Sequence, residues 1–125
     1  MIVGTGVDLE RVDRIRAAIE RHGRRFLERV FTANEIAYVD GRKHRSEGYA
    51  ARFAAKEAAM KALGTGWDNG VRWVDVEIVR EDKGRPALRF HGRAAEIAAE
   101  LGCRCANVSL SHTRDHAIAQ VILES

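Results

Sequence analysis

Residues 52–64 read Arg52-Phe53-Ala54-Ala55-Lys56-Glu57-Ala58-Ala59-Met60-Lys61-Ala62-Leu63-Gly64, and every other element of the chain has to be arranged around them. Alanine is the strongest helix former, no β-branched residue interrupts the run, and Gly64 supplies a stop. The stretch therefore predicts one helix, with Glu57 and Lys61 four residues apart on one face. By spacing alone this is an ordinary solvated ion pair worth a few tenths of a kcal/mol. The alternative is an acid and a base placed to hold a metal and a phosphate side by side. A second acid, Asp8, lies in Gly4-Thr5-Gly6-Val7-Asp8-Leu9 near the amino terminus. It is so distant in sequence that only the fold can bring it to Glu57. Two carboxylates facing one cavity suit Mg²⁺, which keeps several waters and is held by one or two carboxylates plus substrate phosphates. An Asp near a helix start is more often a cap.

Outward from this helix, Met1 to Val7 alternates as a short strand with glycines that permit close backbone approach, and Asp8 is expected at its end. Val12, Ile15 and Ile19 recur at helical spacing until Gly23. A second helical piece holds Phe26, Leu27, Val30 and Phe31. Thr32-Ala33-Asn34-Glu35 matches a capping box and predicts a helix to about Asp40. Gly41 to Arg45 reads as a basic loop, with Ser46 as amino-terminal cap of the motif helix and Gly64-Thr65-Gly66 as the turn beyond it. Val71 to Arg80 reads as a strand, then a turn at residues 82–86 and a short strand from Ala87 to Phe90. Arg93 to Leu101 is helical, and Val108 to Ser111 and Ala117 to Leu123 form a last pair of strands. The order predicts one α+β domain spanning 1–125, an antiparallel sheet packed around the long central helix.

Composition narrows the function. At 125 residues the chain is one domain by size. Nothing in it approaches membrane-spanning length, and its start is no signal peptide, so the expected location is cytoplasmic. Cys103 and Cys105, one residue apart, are neither a zinc framework nor a disulfide scaffold and read as reduced. Lysine and arginine number 21 against 18 acids, but the arginines crowd together: Arg11, Arg14, Arg16, Arg21, Arg24, Arg25 and Arg29, then Arg42, Lys43 and Arg45. Such clusters attract phosphorylated small molecules, nucleic acid or an acidic protein, or are simply a solvated face. Aromatics interleaved with the charges would favour nucleic acid, and the eight present sit mostly where a core needs them.

Three segments carry a resemblance. Gly6-Val7-Asp8-Leu9 with Val12-Asp13-Arg14-Ile15, the run from Arg52 to Gly64, and Val108-Ser109-Leu110-Ser111-His112-Thr113 with Ala117-Ile118-Ala119-Gln120-Val121 fall in order across positions 4 to 121. Together they resemble the holo-acyl-carrier-protein synthases, the short single-module 4'-phosphopantetheinyl transferases. The resemblance implies that fold and a Mg²⁺-dependent reaction in fatty acid biosynthesis. A serine of an apo acyl carrier protein attacks the pantetheine-side phosphorus of coenzyme A, and adenosine 3',5'-bisphosphate leaves. It assigns the metal to Asp8 and Glu57 and phosphate stabilisation to Lys61. Asp8, Glu57 or a metal-bound water remains open as the proton acceptor. Coenzyme A contacts fall on Arg45, Arg52, Lys61, Gly64, Ser111 and His112, of which Arg52 would meet the pyrophosphate or the 3'-phosphate. Carrier docking falls on Arg14, with Arg21 and Arg24. The resemblance also implies a homotrimer with active sites between subunits, and no nucleic-acid ligand beyond the nucleotide part of coenzyme A. Competing readings are a module serving a polyketide or peptide synthase, a small nucleic-acid-binding domain, and an inactive carrier-binding scaffold.

Overall fold

The structure is a computed structural model describing residues 1–65 and 69–125, so the Gly66 end of the expected turn lies outside the described residues. The elements are β1 (Ile2–Arg11), α1 (Val12–His22), α2 (Arg24–Val30), α3 (Ala33–Asp40), α4 (Arg45–Leu63), β2 (Val76–Arg80), β3 (Pro86–Phe90), α5 (Gly92–Glu100), β4 (Cys105–His112) and β5 (His116–Glu124). They form the expected α+β arrangement, with two antiparallel sheets in place of one: β1-β5-β4, and a separate β2-β3 hairpin.

The motif helix α4 is buried on nearly every side. Ala50, Ala51, Ala54, Ala55, Ala58, Ala59 and Ala62 are all within the core. Methyl side chains let backbones on opposite sides approach it closely, and the glycines of β1 complete that approach. A Cβ on Gly4 would stand 2.1 Å from the carbonyl oxygen of Ala62, and one on Gly6 only 1.9 Å from that of Ala58. Gly4, Gly6, Asp8 and Glu10 thus make up the α4-facing side of β1, opposite Leu123, Val121, Ala119 and Ala117 of β5. The other face carries exposed Val7 and Leu9, with Ile118 paired to Leu9.

On its far side α4 is pinned by charge. Lys56 and Glu35 are fully buried and 2.8 Å apart. The ammonium also donates to the carbonyls of Trp73 and Val76, while Glu35 accepts from the backbone of Thr32 and Ile78. Burial pushes the Lys56 pKa down and Glu35 opposes it. The remaining lone pairs and protons are satisfied, which is the condition for tolerating a buried pair. Thr32 forms the capping box expected of it and donates its hydroxyl to Glu77.

Four local expectations are corrected. β1 runs through Arg11, so Asp8 lies inside the strand, because Leu9, Glu10 and Arg11 keep pairing with Ile118, Ala117 and His116. Helix α4 begins at Arg45 with His44 at the cap position, so Ser46 is helical and Arg45 leaves the loop. Asp40 accepts hydrogen bonds from both Arg45 and Tyr49 and ties down that first turn. The strand expected from Val71 starts at Val76, since Asp75 draws in the backbone and guanidinium of Arg72 and closes a tight turn at Trp73–Asp75. Lastly, β4 begins at Cys105 and extends to His112, beyond the 108–111 expected.

Candidate active site

The close approach of β1 to α4 puts Asp8 beside the last two turns of the helix. Lys61 Nζ donates to Asp8 Oδ1 at 3.1 Å and to the Val7 carbonyl at 3.0 Å. Lys61 therefore pairs with Asp8, and the simple exposed Glu57–Lys61 pair suggested by spacing is replaced by a contact across the fold. The second Asp8 oxygen, Oδ2, is buried and has no hydrogen-bond partner. A buried unpaired carboxylate oxygen costs roughly 1–3 kcal/mol, so it belongs either to strain or to a missing partner.

Glu57 faces the same place. Burial first, and then the charge of Asp8, raise its pKa above the ordinary carboxylate range, with Lys61 opposing. The structure also brings in Glu10, which the sequence reading missed. It is two residues beyond Asp8 on the same face of β1, and its pKa is pushed up to about 8. The causes are burial, a hydrogen bond shared with Asp8, and the charges of Asp8 and Glu57, with Arg14 opposing. The strand alternation Gly4, Gly6, Asp8, Glu10 was the signal for it.

Two acids whose pKa values are raised by burial and by the neighbouring Asp8 mark a site short of positive charge. The donor set, all carboxylate oxygen with one orphaned atom, fits a hard cation such as Mg²⁺. Among the described residues no group of three or more His, Cys, Asp or Glu side chains is placed to hold a metal ion, so the carboxylates here could supply at most a partial set of ligands.

The other residues singled out from sequence are not all here. Arg52 is five residues before Glu57 on α4, so it points roughly 140° away. It lies in a different cavity of about 660 Å³, bordered by Tyr38, Arg80, Glu81 and Arg89. It is no ordinary surface arginine, being 4% exposed with an unpartnered Nε. Burial and Arg80 lower its pKa. Arg45 is engaged by Asp40. Gly64, at φ 73°, ends α4 in the left-handed conformation. Ser111 pairs with Ile118 on the outer face of the sheet, opposite to Asp8, and His112 Nδ1 is 3.7 Å from Glu47. Arg14 and Arg21 lie on the exposed side of α1, whereas Arg24 at the start of α2 is shared between Glu28 and Asp40.

An antiparallel sheet thus wraps a buried alanine helix, with carboxylates and a lysine at their junction. The 4'-phosphopantetheinyl transferase superfamily model matches residues 4–121. A holo-[acyl-carrier-protein] synthase of Solibacter usitatus is 54% identical over 125 residues, covering 100% of both chains. The crystal structure of the Neisseria meningitidis synthase superposes with a TM-score of 0.91 at 30% identity, again covering 100% of each chain. That of the Bacillus anthracis synthase, in complex with CoA (3',5'-ADP), does so with a TM-score of 0.82 at 37% identity, covering 100% of this chain and 98% of the other. The chain belongs to the 4'-phosphopantetheinyl transferase superfamily and, within it, to the holo-acyl-carrier-protein synthases.

Proposed function

We propose that this enzyme transfers 4'-phosphopantetheine from coenzyme A to a serine of an apo acyl carrier protein, with Mg²⁺, in the cytoplasm and in the service of fatty acid synthesis. The observation that carries the reading is the junction of β1 and α4, where Asp8 keeps a buried unpaired oxygen beside Glu57, Glu10 and Lys61. Asp8 and Glu57 would hold the metal, with Glu10 beside them on β1. When bound, Mg²⁺ supplies charge neutralisation at the pyrophosphate oxygens. Lys61 would bring its half-exposed ammonium to the same oxygens. The serine hydroxyl gives up its proton to Asp8, Glu57 or a bound water, its oxygen forms a new bond to the pantetheine-side phosphorus, and the bond from that phosphorus to the oxygen of adenosine 3',5'-bisphosphate breaks.

The nucleotide end requires other residues, and here the placement of Ser111 and Arg52 is informative. Both point away from Asp8 within one subunit, so they serve this reaction only if a neighbouring copy presents them. We take the assembly to be a homotrimer with active sites between subunits. The exposed apolar row of Val7, Leu9 and Ile118 on the outer sheet face, which water leaves uncovered, supports that assembly. The neighbour's Ser111, His112 and Arg45 would border the nucleotide, with the backbone at Gly64, and its arginine cavity around Arg52 would take the 3'-phosphate. Arg14 and Arg21, with Arg24 once released from its surface ion pairs, would meet an acidic helix of the carrier and chiefly raise its association rate.

The test is intact-mass spectrometry of an apo carrier protein incubated with the enzyme, coenzyme A and Mg²⁺. The expected result is a gain of one phosphopantetheine that disappears with EDTA and with Asp8→Ala. No gain from a folded enzyme with several carriers would overturn the reading.

A further inference from the structure

Three guanidiniums converge on the ring of Tyr38, which lines the cavity together with Arg52 and Arg80. The Cζ atoms of Arg42, Arg52 and Arg80 lie 4.5, 4.6 and 5.1 Å from the centroid of Tyr38. Arg42 comes from the loop after α3, Arg52 from α4 and Arg80 from the end of β2, so no local spacing requires them to meet. Three like charges this close repel. Left to themselves, long flexible side chains would splay into water. Their other hydrogen bonds are few: Arg52 Nη1 to the Gly48 carbonyl at 3.4 Å, Arg80 to the Gly84 carbonyl, and Arg42 to the Tyr38 hydroxyl. What they have in common is the negative face of one aromatic ring, which attracts guanidinium.

We infer that Tyr38 is a positioning residue for the arginine cavity, its ring gathering Arg42, Arg52 and Arg80 into the arrangement that receives a phosphate monoester. Arginine forks match phosphate oxygens two at a time, and their value falls steeply once they are free to wander. The buried, unpartnered Nε of Arg52 marks where an acceptor is wanting, and Arg89 lines the same cavity. One carboxylate, Glu81, also borders it and accounts for only one of the positive charges. The ordinary alternative is that Tyr38 merely fills space against α4. In that case the ring's volume matters and its charge distribution does not.

The inference rests on the reading that this cavity takes the 3'-phosphate of coenzyme A, and the experiment separates the two. Calorimetry on the full-length enzyme would compare adenosine 3',5'-bisphosphate with adenosine 5'-monophosphate, and kinetics would compare coenzyme A with its 3'-dephospho form. Tyr38→Met keeps bulk but removes the ring. It is expected to weaken the bisphosphate about tenfold or more, leave the monophosphate within about twofold, and raise the KM for coenzyme A with kcat nearly unchanged. Tyr38→Phe restores the ring and should bring affinity back to within about threefold of the parent. Should the Met variant fail to fold, pentafluorophenylalanine at position 38 keeps the ring's shape while reversing its face, and should weaken the bisphosphate in the same way. Arg80→Met is the control for the site itself. If it weakens the bisphosphate selectively while the ringless or fluorinated variant does not, Tyr38 is only packing and the inference fails. If Arg80→Met also leaves the bisphosphate untouched, the phosphate binds elsewhere and the reading beneath the inference fails with it.

Discussion

Replacing Gly6 with alanine adds one methyl group at the tightest of the described glycine positions. The new Cβ would fall 1.9 Å from the Ala58 carbonyl oxygen and 2.9 Å from both the Ala58 carbonyl carbon and the Ala62 nitrogen. All three are backbone atoms of α4, so no side chain can rotate away. Cβ atoms essentially never approach closer than 3.0 Å, so strand and helix must separate by about 1.1 Å at this point. Overpacking of this kind costs about 3 kcal/mol, at the upper end of its usual range, because rigid elements must move. With a typical urea dependence that is a fall of roughly 1–2 M in the unfolding midpoint. Asp8 is two residues further along the same strand and travels with it, away from Glu57. A displacement near 1 Å in a site that aligns a nucleophile with a phosphorus lowers turnover by roughly a hundredfold. Urea titration followed by tryptophan fluorescence, together with kcat from holo-carrier formation, tests both halves. A variant with an unchanged midpoint and turnover within about twofold of the parent would show that β1 does not lie against α4 as described.

Other perturbations separate the roles of the acids and arginines. Glu10→Gln removes one of three carboxylates while keeping its shape, and should weaken Mn²⁺ affinity, read by titration calorimetry, by about tenfold with little loss of stability. The metal-free enzyme should lose stability as pH rises from about 5 to about 8. Folding raises the Glu10 pKa from its ordinary 4.5 to about 8, so across that window the folded state binds a proton the unfolded state has released. Melting temperatures in EDTA at either end of the window check the sign, and a rise toward pH 8 would refute it. Thr32→Ala breaks both a helix cap and a hydrogen bond to buried Glu77, and should cost about 1–2 kcal/mol in urea unfolding. Arg14→Glu reverses charge on the exposed side of α1 and should raise the KM for carrier protein far more than that for coenzyme A. Equal effects on both would remove Arg14 from the docking surface.

Why the sequence revealed some of this and concealed the rest can be traced to α4. Its alanines, its stop at Gly64 and the Gly4/Gly6 pattern opposite it were legible because each is a local consequence of close packing. The β1 endpoint was not, since it is set by β5 at the far end of the chain, and the His44 cap and the turn before β2 were not, since they are set by side-chain contacts (Asp40 to Arg45, Asp75 to Arg72) that hydrophobic periodicity does not register. The site divides along the same line. Adjacent Lys56 and Glu57 look alike as motif letters, yet one is sealed inside against Glu35 and the other faces the acids of β1. Helical periodicity separates them by about 100°, but only the packing says which side is core and which is chemistry. Because alanine makes every side of α4 coverable, its basic residues in the motif are each matched by a specific group: Lys56 by Glu35, Lys61 by Asp8, Arg52 by the ring of Tyr38. Asp8 Oδ2 and Arg52 Nε are left unmatched on opposite sides of that helix. On the proposed reading the first faces the metal and the second the 3'-phosphate end of coenzyme A.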